Sequence, residues 1–126
     1  MVYIFILMLL CHIIDDFVLQ PICLSNLKQK NWWGENCNGK QYRNDYKMAL
    51  FIHSLSWSIM IHLPLMYNMF YMFPEIFILL SIIINTVIHY IVDDLKANKY
   101  KINLVIDQSI HFIQIILTFI IFFIIL

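Results

Sequence analysis

The sequence predicts an all-α protein: a four-transmembrane-helix bundle with both termini extracytoplasmic and two basic cytoplasmic loops. Three observations carry that expectation. Apolar residues make up 62% of the 126 and charged residues 13%, against about 45–50% and about 25% in soluble domains. Four apolar stretches each reach roughly the 19–25 residues that a helix needs to cross a hydrocarbon core of about 30 Å. All eight Lys and Arg residues fall in, or at the helix ends beside, connections that a four-span topology places on one side.

The elements follow in order, within one membrane-embedded domain over residues 1–126. The first helix is expected over about 2–20, stopped by Pro21, which breaks a helix interior. The second is expected over about 46–70. The third, over about 74–96, opens on Pro74, a residue suited to a first helical turn, and the short turn makes helices two and three an antiparallel hairpin. The fourth is expected over about 104–126. The connection of residues 21–45 holds Lys28, Lys30, Lys40 and Arg43 with Trp32, Trp33 and both glycines, and Lys47 opens the second helix. It reads as an interfacial or mobile segment. Lys96, Lys99 and Lys101 lie between the last two helices, whereas the opposite connection carries only Glu75. The positive-inside bias then sets the orientation.

Zero formal net charge, from eight basic and eight acidic residues, excludes the electrostatic footprint of a nucleic-acid binder. The first apolar stretch lacks a basic leader and a small-residue cleavage site, and it carries His12, Asp15 and Asp16, so it is expected to be retained. Cys11, Cys23 and Cys37 show no C-x-x-C spacing and are odd in number, which argues for reduced thiols.

The chemistry lies in three His/Asp pairs at helical spacing: His12 with Asp16, His89 with Asp93, and Asp107 with His111. Residues four apart share a helix face, and ionisable groups at membrane depth are expensive and mark functional sites. Counted from the cytoplasmic ends, His12, His53, His89 and His111 all fall roughly 10–12 Å deep, with Asp16, Asp93 and Asp107 shallower. The third pair is written in reverse, as a helix running the other way requires. One such pair alone reads as a satisfied intrahelical contact; three pairs and His53 at one depth read as a shared site. Neutral imidazole and carboxylate suit a divalent ion, zinc first, with manganese or iron as alternatives, in one or two copies. Asp16, Asp93 and Asp107 serve in this reading as ligands, as partners fixing histidine tautomers, or as the catalytic base.

Gln20 and Gln108 are placed at the rim and Asn85 and Gln114 along the deeper stripe, with Ser56 on the face of His53. Gln20, Gln108, Asn85 and Lys96 are the expected substrate contacts, Lys96 holding an anionic head group or simply snorkelling to the interface. His62 lies far from the layer and reads as an outer-leaflet residue. Asp15 and Asp94 point about 100° away from their paired neighbours and read as rim residues. Trp57, with Trp32 and Trp33, reads as an anchor and packing residue.

In order along the chain stand H-x-x-x-D-F-x-x-Q (His12, Asp16, Phe17, Gln20), the isolated His53, H-x-x-x-D-x-x-K (His89, Asp93, Lys96) and D-Q-x-x-H (Asp107, Gln108, His111). On these motifs the chain resembles small integral-membrane proteins of unknown function from bacteria and phages. It is similar in pattern to inner-membrane proteins grouped as metal-dependent hydrolases. The resemblance implies a four-helix membrane protein with its polar residues gathered in the bundle. Asp15 and Asp94 depart from the pattern by doubling its acidic positions.

The expected function is therefore a metal-dependent hydrolase of the bacterial inner membrane, with a phage or prophage as an alternative source of the gene. Its expected substrate is a lipid or lipid-linked phosphoester, with self-association into a homo-oligomer left open. Two alternatives stand beside it. One is a non-catalytic membrane protein with a structural polar or metal core. The other is a metal or proton carrier, against which the outer half offers few polar groups, mainly His62, Asn68 and Asn85.

Overall fold

The apolar run at the start folds as α1 (Val2–Ile13), whose turns then widen into a π-helical segment over Ile14–Val18. The computed structural model describes residues 2–20, 22–37, 39–69 and 74–125. Two short helices follow, α2 (Ile22–Leu27) and α3 (Lys30–Asn36), then a 3₁₀ turn over Lys40–Asn44. The long helices are α4 (Asp45–Met69), α5 (Glu75–Ala97) and α6 (Leu104–Ile120), the last running on as a π turn over Ile121–Ile125. No strand occurs among the described residues. Three helical stretches, Lys40–Tyr67, Glu75–Ala97 and Leu104–Phe123, are long and apolar enough to cross a membrane.

The helices expected from sequence fall on these elements, but among the described residues the first is not one of the three span-length stretches, and two further corrections apply. The first helix ends at Val18, and the expected stop at Pro21 lies outside the described residues, as do the expected ends at Phe70 and Leu126. The connection of residues 21–45 is mostly helical, and α2 and α3 pack on α4. Asn98 accounts for much of this order. Its side chain donates to the carbonyl of Lys28 at 3.1 Å and accepts from the amide of Lys30 at 2.7 Å, fastening the α2–α3 junction to the end of α5. The turn into α6 closes with Tyr100 at φ 53°, a left-handed conformation, and Asn103 caps α6 by accepting from the Ile106 amide at 2.9 Å.

The apolar core lies at the end away from the basic connections. Ile4 and Met8 of α1, Trp57, Ile61 and Leu65 of α4, Ile78 of α5, Ile115 of α6 and Phe122 of the π turn after it form one buried cluster. Small residues let α4 and α5 approach closely: Ser54 and Ser58 are fully buried, and Ser58 donates across the interface to the Ile82 carbonyl at 2.8 Å. Large apolar side chains such as Leu7, Ile52, Ile84 and Ile113 face outward along every long helix. That inside-out distribution is what a lipid solvent permits and water does not.

Candidate metal centre

At the other end of the core, four helices turn imidazoles inward. His12 (α1), His53 (α4), His89 (α5) and His111 (α6) are each no more than 2% exposed. Ring centroids stand 4.0 Å apart for His89–His111, 5.1 Å for His53–His89 and 6.2 Å for His12–His111. Each i,i+4 pair brings its carboxylate beside its ring, at 3.8 Å for His12–Asp16, 3.7 Å for His89–Asp93 and 3.5 Å for His111–Asp107.

Two groups have donor atoms close enough to hold an ion: Asp16, His53 and His89; and His89, Asp93 and His111. In the first, His53 Nε2 lies 3.2 Å from His89 Nε2 and 3.4 Å from Asp16 Oδ1. Ligands about 2.0–2.1 Å from a tetrahedral zinc stand about 3.3–3.4 Å from each other, so these separations match the edges of such a shell. In the second, Asp93 Oδ1 stands 3.5 Å from His111 Nε2 and 3.7 Å from His89 Nε2. Because His89 belongs to both groups and a ring nitrogen has one lone pair, His89 Nε2 serves one ion at a time.

Hydrogen bonds around the centre fix several tautomers. Gln114 gives its amide N–H to the Asn85 carbonyl at 3.2 Å, which leaves its Oε1 to accept from His111 Nδ1 at 3.1 Å. In the neutral ring His111 Nε2 is thereby left with its lone pair facing the Asp93 and Asp107 carboxylates, each at 3.5 Å. His53 turns Nδ1 toward Asp15 at 3.7 Å and Nε2 toward the centre. His12 is different. Trp57 Nε1–H donates to His12 Nδ1 at 2.8 Å, so the neutral ring carries its proton on Nε2, and His12 joins neither group. Gln108 donates to Asp16 at 2.9 Å and Asp107 at 3.2 Å, tying α6 to α1 across the rim. Among the described residues, His12 Nε2, Asp15 Oδ2, Asp16 Oδ1, His89 Nδ1, Asp107 Oδ1 and His111 Nε2 are buried polar atoms without a hydrogen-bond partner. An unsatisfied buried polar group is costly, and a divalent ion at the centre would relieve several of these at once.

Several sequence expectations need correcting. Asp15 is not a rim residue: it is 2% exposed and accepts from Ser56 Oγ at 2.7 Å. The π turn is the reason, since its wider turns carry Asp15 and Asp16 inward together. Asp94 does stay at the rim, where it accepts from Asn98 and Lys99. Trp57 is not a peripheral anchor; it is fully buried, stacks 4.3 Å from His89 and orients His12. His62, placed from sequence by depth alone, is fully buried, with the Ser58 carbonyl at 2.7 Å and Ser81 Oγ at 2.8 Å. Polar groups beyond the centre are also more numerous than expected: Asn85 donates to Thr118 at 2.9 Å, and Gln114 to Asn85 Oδ1 at 3.1 Å. The side chain of Asn68 lies outside the described residues.

Sequence reasoning placed Lys28 only among the basic residues of its connection and missed it at the site. It is 5% exposed, and its ammonium reaches Asp93 Oδ2 at 2.6 Å. Lys96 makes the matching contact with Asp107 Oδ2 at 2.5 Å. Both lysines line a pocket of about 280 Å³ with Gln20, Asp93 and Tyr100. No spacing signal marks Lys28, because the Asn98 clamp that aims it comes from the far end of α5.

Gln108 supplies an early test. Gln108→Leu is expected to weaken metal binding by about 10–100-fold, as loss of a group orienting a ligand carboxylate does, read by competition with a fluorescent zinc chelator. An affinity equal to wild type would mean that Gln108 does not position Asp16.

Fold and site together define an all-helical protein with span-length apolar helices around a buried His/Asp centre. The chain belongs to a family of unknown function, DUF3307, whose pattern covers residues 4–125. No curated protein and no solved structure matches the chain.

Proposed function

We propose that the protein is a four-span, metal-dependent hydrolase of the bacterial inner membrane, acting at the cytoplasmic face on a lipid or lipid-linked phosphoester. The observation that carries this reading is the Asp16–His53–His89 group, with edges of 3.2 and 3.4 Å amid unpartnered buried donors. Three protein ligands with a fourth position open is the pattern of catalytic rather than structural zinc. Bound there, zinc would supply a Lewis acid and a water of lowered pKa.

The chain's own residues supply the rest. Asp93 lies 3.6 Å from His53 Nε2 and 3.7 Å from His89 Nε2, and from there it would take a proton from an attacking water. His12 presents an Nε2–H that can donate to a developing oxyanion or leaving group. Lys28 and Lys96 bring two cations to the pocket walled by Asp93, which suits a phosphate entering from the basic end. Trp57 and Phe112 close over His12 and exclude water from that side.

The carrier reading is weaker. The polar chain beyond the centre runs through Gln114, Asn85 and Ser81 to His62, and one turn further along α4 comes buried Leu65.

The test uses purified protein in neutral detergent. Elemental analysis is expected to find a divalent ion. Phosphate or head-group release from phosphatidate-type lipids is expected to stop with chelator and return with zinc or manganese. Protein that retains no ion after exposure to zinc, manganese and iron would sink the reading.

A further inference from the structure

Between α5 and α6, on the lipid-facing side, runs a groove of about 340 Å³. Its walls are apolar and outward-facing, with Leu80, Ile84 and Leu117 each about half exposed. Its floor is polar, made by Ser81, Asn85, Gln114 and Thr118. Those floor groups bond one another and His62, so they hold α4, α5 and α6 together beneath the groove without needing a partner from it. From Phe77 to Ile88 the α5 wall spans roughly 17 Å, about half the thickness of a hydrocarbon core.

The position of the groove matters more than its size. His111 separates it from the two-lysine pocket: Nδ1 bonds Gln114 on the groove floor, and Nε2 faces Asp93 on the pocket wall. Along α5, Ile88 at the groove end and Lys96 in the pocket lie roughly 12 Å apart. Apolar groove, metal centre and cationic pocket therefore follow one another along the same two helices. That order matches an amphiphile with a long chain, a phosphoester and an anionic end.

We infer that the α5/α6 groove seats the apolar chain of an anionic phospholipid, which enters sideways from the bilayer and places its phosphate between His111 and the Lys28/Lys96 pocket. The inference deepens the lipid-phosphoester reading and rests on it for the role of that lipid as substrate. Apolar walls select for a chain, and the ammoniums of Lys28 and Lys96, each bonded to one carboxylate, keep further N–H donors for the negative head.

The test is photocrosslinking in phosphatidylcholine nanodiscs with phosphatidate carrying a diazirine near the end of one acyl chain. Crosslinks are expected to concentrate in residues 77–88 and 114–122. Ile84→Trp and Leu117→Trp, which fill the groove, should each cut that labelling about tenfold, the effect of ~1.4 kcal/mol. Ile113→Trp, at an outward position off the groove, should leave it unchanged. A diacylglycerol probe lacking the phosphate should label the groove less, and Lys28→Met should reduce phosphatidate labelling toward that level. Labelling spread evenly over the exposed faces of α5 and α6, indifferent to both groove variants, would overturn the proposal. Zinc content is measured in parallel and should be unaffected by Ile84→Trp. Focused labelling in a protein that binds no metal would retain the lipid site and remove the hydrolase; even labelling in a zinc-bearing protein would do the reverse.

Discussion

His89→Ala is expected to lower zinc affinity by more than about 100-fold, whereas His12→Ala should retain most of it. The asymmetry follows from the hydrogen bonds. His89 is the shared member of both ligand groups, so its removal takes one donor from each and leaves neither with three. His12 sits just as deep, yet Trp57 occupies its Nδ1 and fixes the proton on Nε2, so no lone pair faces the centre. Because His89 also stacks on Trp57 and His111, its truncation opens a void. His89→Asn, which keeps a polar side chain but withdraws the nitrogen, should therefore lose zinc to a similar extent. Helical content by circular dichroism should stay near wild type in all three variants. If His12→Ala lost as much zinc as His89→Ala, four equivalent histidine ligands would be the correct description and the Trp57 bond incidental.

That contrast marks how far the sequence could be read. Spacing alone put His12, His53, His89 and His111 at one depth, because 1.5 Å per residue converts position in a helix into depth. It also paired each histidine on α1, α5 and α6 with its aspartate, because i,i+4 residues share a face. What spacing could not supply was rotation and long-range hydrogen bonding. Asp15 looked outward on an ideal α-helix, and only the π turn over Ile14–Val18 brings it to His53 and Ser56. His12 looked like the other three until Trp57, 45 positions later, took one of its nitrogens. Lys28 lay in a connection read as mobile, and its inward course depends on Asn98, 70 positions away. His62 was judged by its depth alone, which says nothing of the Ser58 and Ser81 groups that surround it. Periodicity reports which residues share a helix face; contacts between distant helices decide what each polar atom does.

Lys28→Met is expected to act in opposite directions on stability and on metal binding. The Lys28–Asp93 pair is buried, with side chains 6% and 3% exposed and 2.6 Å between charges. Removing one partner of such a pair leaves an uncompensated carboxylate and costs about 3–5 kcal/mol. Here the orphaned Asp93 would stand near Asp16 and Asp107, within reach of the same imidazoles, so the cost should be fully felt in chelator. A divalent ion at the centre supplies the missing positive charge. Freed of the ammonium, Asp93 also presents its full negative charge toward the centre, and zinc affinity should rise about tenfold, worth ~1.4 kcal/mol. Zinc at about 100 times its dissociation constant stabilises a folded protein by ~2.7 kcal/mol, so the variant should recover most of its lost stability on zinc addition. Lys99→Met removes an ammonium that is half exposed and bonded to Asp94 at the rim, and should change neither property. The measurement is denaturant unfolding in detergent with and without zinc, beside chelator competition for affinity. Equal destabilisation of Lys28→Met in both conditions, with zinc affinity unchanged, would show that Lys28 only braces α2 against α5 and that Asp93 does not face a metal.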